Sequence, residues 1–370
     1  MIRPSRLWIV LFPLLVASCT PPAEPPAPSA AVQAFYYAWY GNPEIDGAYR
    51  HWNHEVFVRD EPPRAFPGGA EIGANFYPQL GCYSSNDSAV VAAHMRQMRR
   101  GGIGVLCLSW WGHDSFSGAA AGGILDAADR EGLEVCFHLE PFEGRNVETS
   151  REAIVSIIDR YGHHPAFHRA RDSGDRPVFY VYDSYLTPAS EWATILEPDA
   201  APTIRGTPYD AVVLALWVGE RDGAFVLEGS FDGFYTYFAT DGFTYGSTAA
   251  HWPILTAWAR EHEKIAVLCL GPGYCDTRIR PWNERNYRSR EAGAYYDRLF
   301  AAALAAQPTW IGITSFNEWH EGTQIEPAVP MRVGDFVYED YAPLAPDAYL
   351  ARTARWVERF ERRRAASETR

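Results

Sequence analysis

At 370 residues the chain is long for one average domain but ordinary for an α/β barrel, so its length does not require a second domain. Its formal charge of −13, with no basic run before the Arg-rich C-terminus, argues against a nucleic-acid-binding surface, which needs clustered Lys and Arg. The outlier is aromatic content, 13 Trp and 21 Tyr, because rings that fill a barrel interior also supply the flat apolar faces against which sugars lie.

In chain order, Arg3 and Arg6 precede an apolar run from Leu7 to Val16, and Val16-Ala17-Ser18-Cys19 then resembles the lipobox of bacterial lipoproteins. Residues 1–18 read as a signal peptide cleaved before Cys19. An ordinary secretory signal is the alternative; the run is short for a membrane span, so attachment rests on acyl chains at Cys19. Thr20, rather than an acidic residue, follows Cys19 and directs such a lipoprotein to the outer membrane. Residues 19–30, rich in Pro and Ala, read as a stiff tether, residues 31–364 as one catalytic domain and residues 365–370 as a disordered tail.

From Val32 onward short apolar runs alternate with helical periodicity, the pattern of βα units around a parallel sheet. Eight strands are predicted: Val32–Tyr37, Val105–Trp110, Glu134–Leu139, Pro177–Tyr182, Ala211–Trp217, Gly233–Tyr237, Ile265–Leu270 and Trp310–Thr314. Eight is the number that closes a (β/α)8 TIM barrel. Helices are expected over Ser88–Arg100, capped by Ser88, and over Gly118–Glu131, Thr149–Tyr161, Pro188–Leu196, Trp252–His262, Glu291–Ala306 and Asp347–Arg363. The link Gly219–Ser230 looks too short for a full helix, and Tyr40–Leu80 reads as a large loop over the C-terminal face. Cys82 and Cys275 lie in loops where an exported protein permits a disulfide.

Barrel enzymes carry their reacting groups on the loops after the strands. Here those loops hold Tyr36-Tyr37-Ala38-Trp39-Tyr40, Ser109-Trp110-Trp111-Gly112, His138-Leu139-Glu140-Pro141, Tyr182-Asp183-Ser184-Tyr185, Tyr235-Thr236-Tyr237-Phe238 and Asn317-Glu318-Trp319-His320-Glu321. Glu318 and Glu321, three apart after the last strand, are the candidate catalytic pair, since glycoside hydrolysis uses two carboxyl groups. Retaining enzymes hold them about 5–5.5 Å apart and inverting ones about 6.5–9.5 Å, so the spacing leaves the stereochemistry open. Tyr37, Tyr40, His51, His54, Asn317 and Gln324 are candidate hydroxyl-binding groups. His51 and His54 have metal-like spacing but no third ligand nearby in sequence, so no metal is expected. Nor is any cofactor, because neither a phosphate loop nor a dinucleotide fingerprint occurs.

Phe35 to Pro43, Ser109 to Gly112, His138 to Pro141, Asp232 to Phe238 and Ser315 to Glu326 together resemble the motifs of glycoside hydrolase family 99, in order and over about residues 32–355. The resemblance implies a (β/α)8 fold and a retaining endo-acting enzyme on α-1,2-mannosides. It also implies that Glu318 takes the proton of the substrate's own 2-hydroxyl to form a 1,2-anhydro sugar, with Glu321 as acid and then base. Glu140 and Trp111 then match positions lining the upstream sugar site, and Tyr237 a tyrosine near the reacting centre. Trp111 resembles the bacterial form of its loop, which favours α-mannan over the glucose-capped mannosides of N-glycans. A monomer acting on a mannose-rich glycan is expected.

Three readings stand against this one: a barrel hydrolase of another α-glycan, a non-catalytic glycan-binding lipoprotein, and a glycosyltransferase-like relative. The second predicts loss of one carboxylate, whereas both are present. The third requires a nucleotide-sugar site that the sequence does not display.

Overall fold

A computed structural model describes residues 26–58 and 62–368, with the side chains of residues 367 and 368 left aside. Cys19 and the segment read as a lipoprotein signal lie outside the described residues. Eight parallel strands form the barrel: β1 (Ser29–Tyr36), β2 (Ile103–Trp110), β3 (Glu134–Leu139), β4 (Arg176–Val181), β5 (Val212–Leu216), β6 (Gly233–Tyr235), β7 (Ile265–Leu270) and β8 (Trp310–Ile313). Each pairs with the next, and β8 closes on β1 through Val32 opposite Ile311 and Ala34 opposite Ile313. Helices follow the strands in turn: α1 (Ser88–Arg100), α2 (Phe116–Arg130), α3 (Val147–Tyr161), α4 (Ala189–Leu196), α5 (Asp222–Glu228), α6 (Trp252–Glu261), α7 (Ala294–Ala306) and α8 (Ala348–Glu368).

The strands are buried almost throughout, as both faces of a barrel strand must be, which explains their unbroken apolar runs. Inside the barrel the filling is aromatic and polar. Phe35 meets His138 and Tyr180 at 4.9 and 5.6 Å between ring centroids, Tyr180 meets Tyr235 at 4.9 Å, and His138 Nε2 lies 2.8 Å from the Tyr235 hydroxyl. Below them the Tyr180 hydroxyl donates to Gln33 at 2.9 Å. The Tyr235 hydroxyl, His138 Nε2, the Tyr180 hydroxyl and Gln33 are tolerated in this interior because they bond one another in pairs. Gly312 on β8 is required by crowding, since a Cβ there would sit 2.6 Å from Cys269 Sγ.

Several boundaries differ from expectation for local reasons. β1 begins at Ser29, inside the stretch read as tether, because the Ser29 amide bonds the Gly102 carbonyl at 2.9 Å and starts the ladder to β2. The cap of α1 is Asp87, whose carboxylate accepts the Ala89 amide, and Ser88 is the first helical residue. The Gly219–Ser230 link does hold a helix, the two-turn α5, anchored where Asp222 accepts the Val218 and Gly219 amides at 2.7 Å. At the C-terminus α8 runs through Glu368, so the tail read as disordered begins as helix; Glu358–Arg362 and Glu361–Arg364 pairs support its last turns. Cys82 and Cys275 are free thiols: Cys82 donates to the Gly69 carbonyl at 3.0 Å and Cys275 to Glu339 at 3.5 Å.

The loop after β1 is long but not loose. Trp52 is fully buried, stacks 4.1 Å from Tyr40 and donates its indole N–H to the Tyr83 carbonyl at 2.7 Å. This packing folds the segment over the C-terminal end of the barrel, where it forms one wall of a cleft.

Candidate active site

The segment after β8, from Ser315 to Glu326, carries both candidate acids and is tied back on itself. The Ser315 amide bonds the Thr323 carbonyl at 2.9 Å, Ile325 bonds Ser315 at 3.0 Å and Glu326 bonds Phe316 at 2.9 Å. Gly322 makes the turn at φ 62°, a left-handed conformation favouring glycine, and a Cβ there would meet the Cys275 carbonyl at 2.8 Å. Beneath it the buried Glu326 carboxylate accepts from Tyr83 at 2.8 Å and from the Trp319 indole at 2.9 Å, with His94 Nε2 at 3.1 Å. Trp319 is therefore an anchor facing inward and not a sugar platform. Arg290 closes the loop from below, donating to the Gly322 and Gln324 carbonyls at 2.9 and 2.8 Å.

On this frame the two carboxyls have different surroundings. Glu318 is 4% exposed; its amide is held by the Ser315 hydroxyl at 2.7 Å and its carboxylate accepts the His320 amide at 3.1 Å. Burial, then the charge of Glu321, pushes the Glu318 carboxyl well above the usual glutamate range. Glu321 is 28% exposed at the cleft, paired to Arg280 at 3.2 Å. Its carboxyl is raised by desolvation, against the pull of Arg280 and with help from Asp276 and Glu140. Arg280 also bonds Asp276 at 3.0 Å, and Asp276 is further held by Tyr274 at 2.8 Å and Asn283 at 2.9 Å.

Around the pair stand rings and a third carboxylate. The Tyr37 and Tyr237 hydroxyls share a short hydrogen bond, and burial keeps both phenols protonated far above neutral pH. Tyr237 sits at φ 49°, unfavourable for a non-glycine residue and held by its surroundings. Trp39 stacks on Tyr37 at 4.6 Å and on His51 at 4.1 Å, with Trp111 next at 6.5 Å. Trp111, 36% exposed, donates its indole N–H to Ser109 at 3.1 Å, and Ser109 donates to Glu140 at 2.8 Å. The other side opens into a cavity of about 390 Å³ lined by Tyr182, Tyr237, Tyr274, Arg280, Trp282 and Glu321 among others.

The structure thus brings Glu318, Glu321, Tyr37, His51, Trp111, Glu140 and Tyr237 to one cleft. Three candidates for sugar contact are corrected. Tyr40, Asn317 and Gln324 are completely buried, and the side-chain hydrogen bonds they make are to other parts of the protein. Tyr40 donates to the Asn317 carbonyl at 2.9 Å and accepts the Trp319 amide at 3.2 Å; Asn317 exchanges two bonds with the Tyr37 backbone at 2.8 and 2.9 Å; Gln324 donates to Tyr341 at 3.2 Å. Tyr40 and Asn317 bind the β1 and β8 loops to each other, whereas Gln324 ties the β8 loop to Tyr341 ahead of α8. Sequence reading missed Arg280, Asp276 and Tyr274, which lie after β7 in Tyr274-Cys275-Asp276 and Arg278-Ile279-Arg280 without any local catalytic signature.

Two coupled carboxyls at the catalytic end of a barrel, set in a cleft walled by rings, are the equipment of a glycoside hydrolase. The chain belongs to glycosyl hydrolase family 99, whose profile matches residues 29–362. It is 47% identical over 348 residues to glycoprotein endo-alpha-1,2-mannosidase of Rattus norvegicus, covering 90% of this chain and 75% of that protein. Against the glycoprotein endo-alpha-1,2-mannosidase-like protein of Homo sapiens the identity is 43%, over 89% of this chain and 75% of the other. The solved endo-alpha-mannosidase of Bacteroides thetaiotaomicron superposes with a TM-score of 0.89 at 44% identity, covering 92% of this chain and 100% of that one.

Proposed function

We propose that this enzyme cleaves internal α-1,2-mannosidic bonds of α-mannan or mannose-rich glycans with retention, by participation of the substrate's 2-hydroxyl. The Glu318–Glu321 pair carries this reading. Both carboxyls are raised and they interact, so over a window of pH the pair holds one proton between them, supplying one base and one acid at once. Substrate sorts that proton. A 2-hydroxyl donating into Glu318 favours its carboxylate, while a glycosidic oxygen accepting from Glu321 favours its acid.

In an α-mannoside the axial 2-hydroxyl lies trans to the leaving group. Glu318 removes its proton as O2 attacks C1, the C1–oxygen bond breaks, and Glu321 protonates the departing sugar. The 1,2-anhydro sugar is then opened by water, whose proton passes to Glu321 as O2 recovers its proton from Glu318. Arg280, 3.2 Å from Glu321, stabilises the Glu321 carboxylate that exists between the two steps. Tyr37 and Tyr237, protonated and adjacent, are donors to sugar oxygens at the reacting ring.

The similarity to endo-mannosidases supports mannoside as the substrate class, and the exposed Trp111 beside Glu140 supports mannan over a glucose-capped glycan. The lipobox at Cys19 supports export and anchoring at the outer membrane, a setting for attack on external polysaccharide. The test is hydrolysis of α-1,2-mannan, glucose-capped mannoside and the 2-deoxy analogue of a cleaved mannoside, with the anomer of the product followed in time. Cleavage of the first with α-configured oligosaccharide and no turnover of the 2-deoxy analogue is expected; inverted product, or full turnover without the 2-hydroxyl, would overturn the mechanism.

A further inference from the structure

His51 and His54 have no third metal ligand in their own segment, but the fold brings one from the far end of the chain. His320 lies 4.7 Å from His51 and 4.7 Å from His54 between ring centroids, and those two are 5.0 Å apart. The Glu318 carboxylate joins them: one ligand atom each from His51, Glu318 and His320 lie within 4.8 Å of one another. His320 is 1% exposed and neither of its ring nitrogens has a hydrogen-bond partner. A buried imidazole with both nitrogens unpaired is costly. The amides of Glu318 and Trp319 and the Trp319 indole beside it are all bonded, whereas His320 leaves both of its ring nitrogens without a partner.

We propose that His51, Glu318 and His320 form a binding site for one divalent transition ion of the zinc type, and that its occupancy inhibits the enzyme by removing Glu318 from the reaction. Two imidazoles and a carboxylate are a borderline nitrogen and oxygen set that suits Zn²⁺, Co²⁺, Ni²⁺ or Cu²⁺ and not Mg²⁺ or Ca²⁺, which prefer all-oxygen shells. Zinc bonds of about 2.0–2.2 Å need donors closer than they now stand, so binding must draw the three side chains together. His54 packs against His51 and His320 without being one of the three ligands. Its Nδ1 lies 2.6 Å from the Glu55 carbonyl, an arrangement in which Nδ1–H donates to the backbone and Nε2 keeps its lone pair, as in metal-ligating histidines generally. A carboxylate whose oxygen is on a metal cannot accept the 2-hydroxyl proton, so ion and substrate compete. Binding of the ion rests on the geometry alone; only its inhibitory effect rests on the role assigned to Glu318.

The test titrates chelator-stripped enzyme with Zn²⁺ by calorimetry and with Co²⁺ by visible absorption, and measures glycan hydrolysis across the same range with EDTA reversal. One ion per chain is expected, with Co²⁺ bands of a low-symmetry nitrogen and oxygen site, loss of hydrolysis that EDTA restores, and displacement of Co²⁺ by an oligosaccharide substrate. His51→Phe and His320→Phe, which keep ring packing, are each expected to weaken binding at least tenfold. Should His320→Phe fail to fold, His51→Phe, on the half-buried loop, decides. Equal binding in wild type and His51→Phe, or binding lost instead in Cys82→Ser, would overturn the site. Stoichiometric binding at this site with undiminished hydrolysis would overturn the inhibition and the assignment of Glu318 as base.

Discussion

The loops after β7 and β8 meet at the Arg280–Glu321 ion pair but are built on opposite principles. The β8 loop is closed by backbone bonds, anchored through Trp319 on the buried Glu326 and pinned by Arg290. The β7 loop reaches outward: Asp276 is buried at its root, whereas Trp282, on the rim of the cavity, is 60% exposed. Groups that move protons need fixed positions, since small displacements are costly to catalysis. Groups that receive different lengths of glycan need accessible surface more than rigidity. On the function proposed above, chemistry belongs to the locked loop and recognition to the open one.

The largest effects should come from the locked loop. Glu321→Gln and Glu318→Gln are each expected to lower kcat roughly 10²–10⁴-fold, the usual contribution of a general acid or base, with folded protein and retained glycan binding. Steady-state kinetics beside circular dichroism would check this, and near-normal turnover in either variant would break the contrast between the loops. Trp319→Ala removes the anchor without touching the cleft, and its expected cost is about 3–5 kcal/mol of stability in chemical denaturation. An unchanged midpoint would show that the loop is held by its backbone alone.

Arg280→Met tests the contact between the two loops. Asp276 keeps Tyr274 and Asn283 as donors, so the variant should fold. Arg280 pulls both catalytic carboxyls down, so its loss should move both limbs of the kcat/KM profile to higher pH, with a drop of about tenfold at the optimum, on the scale of one charged hydrogen bond. Glu140 and Asp276, which also face Glu321, push in the same direction. A uniform loss with unmoved limbs would make Arg280 a purely structural residue.

The raised carboxyl of Glu318 has a consequence for stability. A carboxyl whose folded pKa lies above its unfolded value of about 4.3 contributes stability below that value and loses it as pH rises through the folded pKa. Glu318→Gln should therefore melt higher than wild type in alkaline buffer, with the difference shrinking toward about pH 4. Thermal melts across pH would read this, and a variant less stable at every pH would contradict it. The smallest effect belongs to the open loop: Trp282→Ala should raise KM by about two- to tenfold and leave kcat and stability alone, as loss of one stacking surface does.

The barrel was legible in the sequence because each buried strand is a short apolar run and each helix a local periodicity. Seven of the eight strands start within two residues of expectation, and the exception sits where a pairing partner, not composition, sets the end: β1 begins early because Gly102 reaches Ser29. The candidate acids were equally legible, being three residues apart in one loop after the last strand. What the chain alone did not disclose is every relation between distant residues. Tyr40 and Asn317 look like sugar ligands by type, yet barrel closure turns them inward to join the first loop to the last, and Gln324 is likewise buried, against Tyr341. Arg280 has no local signature, and it matters because β7 and β8 are neighbours. His320 meets His51 only once the ends of the barrel have come together. Periodicity and spacing are properties of neighbours along the chain, whereas burial, ion pairing and proton affinity depend on neighbours in space, which only the closed barrel supplies.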